Sequence, residues 1–565
     1  MTTPAFAAPL NLVYPPTNFK TASDKIFFLG TAPPDAQVFV NDKLVERSPA
    51  GHFAPSFPLQ LGDNLFTVRY KTQEIKIDVQ RVSLQPLPPT GLAFANASLT
   101  PNVDLARLPG EQICFSAIAA PNASVTVKLA NQTIPLTPQS QLQLPANSGA
   151  LTGQNQPAAS TTGQYQGCLT LPQSGSDQDL GKPEFQLTLN GKTISQPGAG
   201  KITILSTAKV AAVTAEAGVA RTGPSSDYSR LTPLPKGTRA TITGIEGDYY
   251  RLDYGAWINR KETQLVTSIP PRSMIRSVST REVPGATEVY FPLQVPVPIS
   301  VQQNDRTFIL TLYNTTAQTD IIRLATNPLI SRLDWQQTAP GQVQYTLNLK
   351  NYQQWGYKLK YSGTSLVLSL RHPPERSRGE YLSGIKILID PGHGGQESGA
   401  SGPTGDLEKD VNLSVAKLVR DRLVKMGATV IMTREEDKEV SLGDRVKIID
   451  TTEPAISISI HHNSLPDEGD AQHTQGFASF WYNTQAHSLA AFIHDYVIKK
   501  LNRPDYGVFW DNLALTRPTS APSILLELGF MSNPQEFEKV MNPQEQKKIA
   551  GAIADGINEW FRKVR

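Results

Sequence analysis

Between residues 10 and 372, apolar residues come in short runs separated by turn-forming residues. Ile26-Phe27-Phe28-Leu29 precedes Gly30, Val38-Phe39-Val40 precedes Asn41-Asp42, and Leu65-Phe66-Thr67-Val68 follows Gly62-Asp63-Asn64. Further on come Phe308-Ile309-Leu310-Thr311-Leu312, Val343-Gln344-Tyr345-Thr346-Leu347 and Leu366-Val367-Leu368-Ser369-Leu370. Short apolar runs bounded by Gly, Pro, Asn and Asp predict strands, and many of them in succession predict small sandwiches or barrels. One stretch breaks the pattern. Gln139 to Gln166 is rich in Ser, Gln, Asn and Gly, and reads as a mobile loop.

After Gly384 the period changes. Ile385 to Ile389, Ala428 to Met432, Ala455 to Ile460, Phe477 to Tyr482 and Ser523 to Leu528 read as strands. Val411, Val415, Leu418, Val419 and Leu423 recur at helical spacing, and Gly427 can end that helix. Ser441 with Asp444 suits a capped helix start, while Ala486 to Leu501 and Glu545 to Lys563 read as helices. Strands alternating with helices predict an α/β unit with a mostly parallel sheet and helices on both faces. Residues Arg371 to Glu380, polar and Pro-containing, read as the linker before it.

Five units are expected: 10–86, 87–205, 206–268, 269–372 and 384–565. At 565 residues the chain is too long for one core. The G-T-A-P-P-x-A-x-V-x-V-N order from Gly30, with the G-D-N-x-F run from Gly62, resembles bacterial immunoglobulin-like wall modules. A sandwich with a polar insert would follow it. Val219 to Ser225, Leu234 to Thr238, Gly247 to Leu252 and Gly255 to Ile258 resemble, in order, a bacterial SH3-like barrel. There Tyr249 and Trp257 suit either a peptide groove or the barrel core. The unit before the linker resembles, by position, an AMIN-type sandwich that targets amidases to the envelope.

The net charge of +3 and the lack of Lys/Arg runs argue against nucleic-acid binding, and fit weak attraction to an anionic polymer. No apolar stretch is long enough to span a membrane. Ala5-Phe6-Ala7 before Ala8-Pro9 resembles the tail of an A-x-A cleavage site, though no complete signal peptide precedes it. The two cysteines, Cys114 and Cys168, flank the polar insert. In an exported protein they would form a disulfide; in a reducing compartment they would be buried thiols.

Active sites of open α/β sheets lie beyond the carboxyl ends of the strands. Three polar residues fall there: His393 after the first strand, His461 after Ile456 to Ile460, and Glu527 near the end of Ser523 to Leu528. A fourth, Glu408, opens the first helix. Taken singly, such a histidine is ordinarily a surface or hydrogen-bonded core residue, and such a glutamate a cap or ion-pair partner. Together, two imidazoles and a carboxylate form a common zinc set that leaves a position open for water. Glu527 lies in the apolar run Ile524 to Leu528, where a buried carboxylate is costly without a partner, and suits a base. The residues alone reach a hydrolytic zinc site.

Five runs carry a family resemblance: ILIDPGHGG (Ile387 to Gly395), GDLEKDVNL (Gly405 to Leu413), SLGDRV (Ser441 to Val446), SISIHHNS (Ser457 to Ser464) and LLELGFMSNP (Leu525 to Pro534). In this order they resemble the zinc-dependent N-acetylmuramoyl-L-alanine amidases of the amidase-3 type, across nearly all of residues 384 to 565. The resemblance implies zinc, one per chain, on His393, Glu408 and His461, with Glu527 as catalytic base. It selects His461 over the neighbouring His462. Asn463 and Arg445 are expected to be structural, with Arg445 pairing with Asp444 or another carboxylate. His473, His487 and His494 match no ligand position and read as loop or helix-surface residues.

The implied reaction is hydrolysis of the amide joining N-acetylmuramic acid to L-alanine of the stem peptide. The implied setting is the periplasm or cell wall, with peptidoglycan as partner, envelope proteins as candidate regulators and a monomeric state. Some members of the family carry an inhibitory helix between the second histidine and the catalytic glutamate. Here Asn463 to Gly476 is a short polar loop, which predicts an open catalytic unit. The competing readings are a zinc peptidase acting on wall peptides and a wall-binding scaffold.

Overall fold

The computed structural model describes residues 10–83, 86–139, 142–153, 155–159, 163–375 and 382–564. The Ala5-Phe6-Ala7 motif and the end of the Arg371 to Glu380 linker lie outside them. Up to residue 371 the regular structure is almost wholly strand.

The first unit holds a five-stranded sheet, a three-stranded sheet and the pair Lys25–Phe27 with Ser56–Pro58. Their inner faces share a core that includes Phe28, Phe53, Val68 and Val79. Asn41 and Asp42, with φ of 47° and 61°, form the tight turn that pairs Val40 with Lys43. Asn and Asp tolerate the positive φ that such a hairpin demands at both central positions.

In the next region Gln112–Ile118 pairs with Gln164–Thr170, so that Cys114 stands opposite Cys168, and a disulfide joins them. The polar insert between those strands is more ordered than its composition predicts. It contains a short helix, Gly149–Thr152, and a two-residue ladder between Leu142–Gln143 and Ala158–Ala159. Leu151 packs beside Phe480 and Leu525 of the C-terminal unit, and Tyr506 donates to the Leu151 carbonyl. Apolar contact with a distant surface, which composition cannot report, holds this segment.

An eight-stranded sheet then runs across the junction at 205/206. Leu105–Arg107 pairs with Ile202–Ile204 on one side and with Arg239–Glu246 on the other. Trp257 is buried there, beneath the Arg107 guanidinium 5.3 Å from its ring, while Tyr249 is half-buried. From Ser273 to Arg371, a five-stranded and a four-stranded sheet enclose a shared core that includes Phe291, Phe308, Tyr345 and Leu368.

The C-terminal unit is a single six-stranded sheet. Its strands are β1 (Lys386–Pro391), β2 (Thr429–Met432), β3 (Ile456–Asn463), β4 (Phe477–Trp481), β5 (Asp505–Trp510) and β6 (Ser523–Phe530), in the spatial order β2-β1-β3-β6-β4-β5. The first four of that order are parallel; β4 runs antiparallel to β6, and β5 parallel to β4. The helices are α1 (Glu408–Lys425), α2 (Leu442–Thr452), α3 (Thr484–Leu501), α4 (Pro534–Met541) and α5 (Pro543–Lys563). Strand β5 and helix α4 are additions to the elements expected from periodicity.

Alternation along the strands sorts their side chains. Ile387 and Ile389, then Ile456, Ile458 and Ile460, then Ile524, Leu526 and Leu528, join residues of α1, α3 and α5 in one core. The intervening residues Asp390, Ser457, Ser459, His461 and Glu527 therefore belong to the opposite face. Over that face lies α2, whose Arg445 reaches Asp390. His494 departs from its surface assignment: it is buried on α3, with Nε2 3.2 Å from the Phe477 carbonyl and 3.3 Å from Asp505.

Candidate metal centre

Three side chains converge at the carboxyl edge of the sheet. His393 follows β1, Glu408 opens α1, and His461 lies near the end of β3. One donor atom from each falls within 4.8 Å of the others. Glu408 is the hub: its Oε2 lies 3.2 Å from His393 Nε2 and its Oε1 3.1 Å from His461 Nδ1. The two imidazole rings stand edge to face with centroids 4.9 Å apart.

Glu408 is held from behind. Glu408 Oε1 accepts from Asn412 Nδ2 at 2.9 Å and from the His462 backbone N–H at 3.1 Å, and Oε2 accepts from the Ala400 N–H at 2.9 Å. Asn412 sits one helical turn after Glu408, where side chains share a face. Burial alone would raise the Glu408 carboxyl, but His393 and His461 hold it well below the usual range. His393 is pushed up by its hydrogen bond to Glu408, against the opposing effect of burial.

The pair His461 and His462 resolves as strand alternation requires. His462 turns into the α1 side, where it is buried and its Nδ1 lies 2.8 Å from Asn412 Oδ1. Burial lowers its pKa to about 4, so it is a neutral, hydrogen-bonded imidazole at ordinary pH.

The turn carrying His393 is locked by two buried arginines. Arg445 donates to Asp390 Oδ1 at 2.5 Å, to the Pro391 carbonyl at 2.7 Å and to the His393 carbonyl at 2.7 Å. Arg434 donates to the carbonyls of Pro391, Gly392 and Lys409. Asp390 also accepts from Thr433 and from Ser459 Oγ at 2.6 Å. Asp444 does not take Arg445; it is bonded by Ser441, the N-cap of α2. His393 itself has φ of 59°, a left-handed conformation costing about 1–2 kcal/mol in a non-glycine residue, and this network opposes its relaxation.

Glu527 is the register partner of His461 on the adjacent strand. The side chain is partly accessible, yet its Oε2 is shielded from solvent and makes no hydrogen bond to protein. Burial, and then the charge of Glu408, push its pKa well above the carboxylate range. Asn463, the last residue of β3, bonds its own loop by accepting from the Ser464 N–H.

The donor set suits a divalent transition metal. Two neutral-capable imidazoles and one carboxylate are a common catalytic zinc set, with a position left open. A Cβ built on Gly399 would stand 2.4 Å from Glu408 Oε2, so the carboxylate has a cradle that any side chain would fill. Asn412, Asp390 and Arg434 escaped the sequence reading. Asn412 alone carried a local signal, its position four residues after Glu408; the contacts by which Asp390 and Arg434 hold the His393 turn join residues distant in sequence.

Comparison with known proteins follows this geometry. Residues 387–559 match the model of the Amidase_3 family, described as N-acetylmuramoyl-L-alanine amidase. The germination-specific N-acetylmuramoyl-L-alanine amidase of Bacillus subtilis is 37% identical over 202 residues, covering 32% of this chain and 81% of that protein. The probable cell wall amidase LytH of Staphylococcus epidermidis is 36% identical over 182 residues, covering 32% of this chain and 60% of its own length. A solved structure, an N-acetylmuramoyl-L-alanine amidase of Nostoc punctiforme, is 32% identical, covers 32% of this chain and 99% of that one, and has a TM-score of 0.31. The matches fall on the C-terminal unit that holds His393, Glu408, His461 and Glu527, and through that unit the chain belongs to the N-acetylmuramoyl-L-alanine amidase family.

Proposed function

We propose that the protein hydrolyses the amide between N-acetylmuramic acid and the L-alanine of the peptidoglycan stem peptide. The observation that carries this reading is the convergence of His393, Glu408 and His461 donors within 4.8 Å, with Glu527 in register beside His461. His393, Glu408 and His461 would hold zinc. Bound there, zinc supplies Lewis acidity to the substrate carbonyl and acidifies a water. Asn412, the His462 amide and the Ala400 amide keep the Glu408 oxygens aimed at the site. Glu527 takes the proton of the attacking water and returns it to the leaving amine. Burial raises its proton affinity, which favours uptake of that proton.

The β-rich remainder that precedes the catalytic unit at 384–565 is assigned to wall binding: immunoglobulin-like and insert-bearing sandwiches at 10–86 and 87–205, an SH3-like barrel at 206–268 and an AMIN-like sandwich at 269–372. This points to the periplasm or cell wall. Among the described residues no helix is long and apolar enough to cross a membrane.

Mass spectrometry of digested sacculi tests the reaction. The amidase releases stem peptides with a free L-alanine amino terminus and leaves sugar strands without peptide. L-alanine left on the sugar would identify a peptidase instead, and undigested sacculi a scaffold.

A further inference from the structure

The loop following His461 is clasped by the first β unit. Asp467 receives hydrogen bonds from Tyr14 and, at 2.5 Å, from Thr21. Ser56 Oγ donates to the Gly469 carbonyl at 3.0 Å, and the Ala54 N–H donates to Gln472 Oε1 at 2.8 Å. Phe27, Leu29 and Ala54 bury an apolar patch with Ala471 and Leu465. Asn533 secures the loop from the other side through the carbonyls of Ala471, Gln472 and Thr474. Beside this junction lies a cavity of about 700 Å³, walled by the first β unit, the insert helix and the loop itself.

Its position follows from strand order. Because β4 opposes β6 and β5 follows β4, the amino end of β5, with Tyr506, shares a sheet edge with Glu527. The Tyr506 ring packs edge-on to Phe530, with centroids 4.9 Å apart. Two strand spacings separate β5 from β6, so the cavity begins roughly 10 Å from the Glu527 strand. Its lining sets Glu46, Glu468 and Asp470 against Lys25 and His473, whose ring nitrogens lie 2.9 Å from Asp470 and 4.0 Å from Glu46, and Phe57 and Tyr506 add apolar surface. The three carboxylates outnumber Lys25 and His473 and disfavour a ligand that carries carboxylates, such as a free peptide. They accept hydrogen bonds from a neutral ligand rich in hydroxyl and amide donors. The volume is in the range that encloses a small ligand, about 300–1,000 Å³.

We propose that this cavity is a subsite for N-acetylated sugar units of the polymer being cut, with the first β unit as its outer wall. The inference rests on the hydrolase reading above. It makes the first unit part of the substrate cleft instead of a separate tether.

The test titrates the full-length protein with the neutral tetramer of N-acetylglucosamine, and with a free stem peptide as the competing ligand. Glu46→Trp fills the cavity from an exposed position, and Glu46→Ala removes one acceptor while leaving the space. The expected result is that the sugar binds, Glu46→Trp weakens it about fivefold or more, and Glu46→Ala weakens it less. The KM for long glycan strands rises with Glu46→Trp. Absence of sugar binding, sugar affinity indifferent to both variants, or displacement of the sugar by the stem peptide would overturn the assignment. Sugar binding that responds to Glu46→Trp in a protein that cuts no wall amide would leave the cavity assigned and refute the hydrolase reading.

Discussion

Gly392 and His461 meet so closely that no side chain can stand at the first. A Cβ built on Gly392 would lie 2.2 Å from the Cε1 of the His461 ring and 2.3 Å from its Nε2. The two residues sit on neighbouring elements, and the Gly392 N–H donates to the Ile460 carbonyl at 2.9 Å, so the backbone cannot retreat without breaking that bond. Gly392→Ala must therefore swing the imidazole. The expected outcome is a loss of zinc affinity of about tenfold or more, the range seen when groups that orient a metal ligand are disturbed. Competitive chelation of the purified variant measures it. An affinity equal to wild type would show that the ring is free to move and that the contact is incidental.

Glu527→Gln separates proton transfer from metal retention. The amide keeps the shape of the side chain but cannot accept a proton. Activity on sacculi should fall by about 10²–10⁴, the usual contribution of a positioned acid–base group, with zinc content unchanged by elemental analysis. Loss of the metal along with activity would make Glu527 a ligand and require a different base.

Arg445→Met should cost about 3–5 kcal/mol in denaturant unfolding of the C-terminal unit, because it strands the buried Asp390 carboxylate. Thr433 and Ser459 would still donate to that carboxylate, but neither neutralises it. Adding Asp390→Asn to the variant removes the stranded charge and should recover part of the loss. A double variant no more stable than Arg445→Met would place the cost in the carbonyl bonds to Pro391 and His393 instead.

Asp177 gives a pH-dependent junction. Its burial acts to raise its pKa, but Lys209 and the donors of Ser206 and Thr207 outweigh that and hold it below the ordinary 3.8. A carboxyl depressed by folding contributes stability above its unfolded pKa and loses it as pH falls through the folded value. Asp177→Asn should therefore lower the melting temperature at pH 6, and the gap from wild type should narrow only in acid, below about pH 4. A gap of equal size at pH 6 and pH 3 would mean that shape, not charge, decides this contact.

Legibility from sequence followed sequence distance. The strands at Phe308 to Leu312, Val343 to Leu347 and Leu366 to Leu370 were readable because alternation and turn residues are local signals, and all three form. That His393, Glu408 and His461 would converge was readable for a related reason: each stands at the end or start of an element whose period is plain. What escaped depends on partners far along the chain. Tyr14 and Asp467 are 453 residues apart, and nothing near either one announces the other. The insert holding Leu151 has the composition of a loose loop, and the apolar surface of Phe480 and Leu525, with the Tyr506 hydroxyl, gives it a place to settle. His494 was misjudged because neighbouring charges, Asp495 and Lys499, mask how deeply its own helical face is covered. Of the carboxylates open to Arg445, the adjacent Asp444 is not the partner; Asp390, 55 residues away in sequence, is.

Trp355 belongs to the core of the C-terminal unit although it precedes β1 by about thirty residues. It is 5% exposed, stacks on Phe561 at 5.9 Å and meets Trp560 edge to face at 5.6 Å. Arg371 fastens the same region to the carbonyls of Pro454 and Ser520. A fragment begun at residue 384 would thus carry an indole-sized hole and an uncovered aromatic patch on α5. Such a fragment should aggregate or bind apolar dyes, whatever its catalytic competence. Expression of the minimal enzyme needs a start upstream of the four- and five-stranded sheets that deliver Trp355.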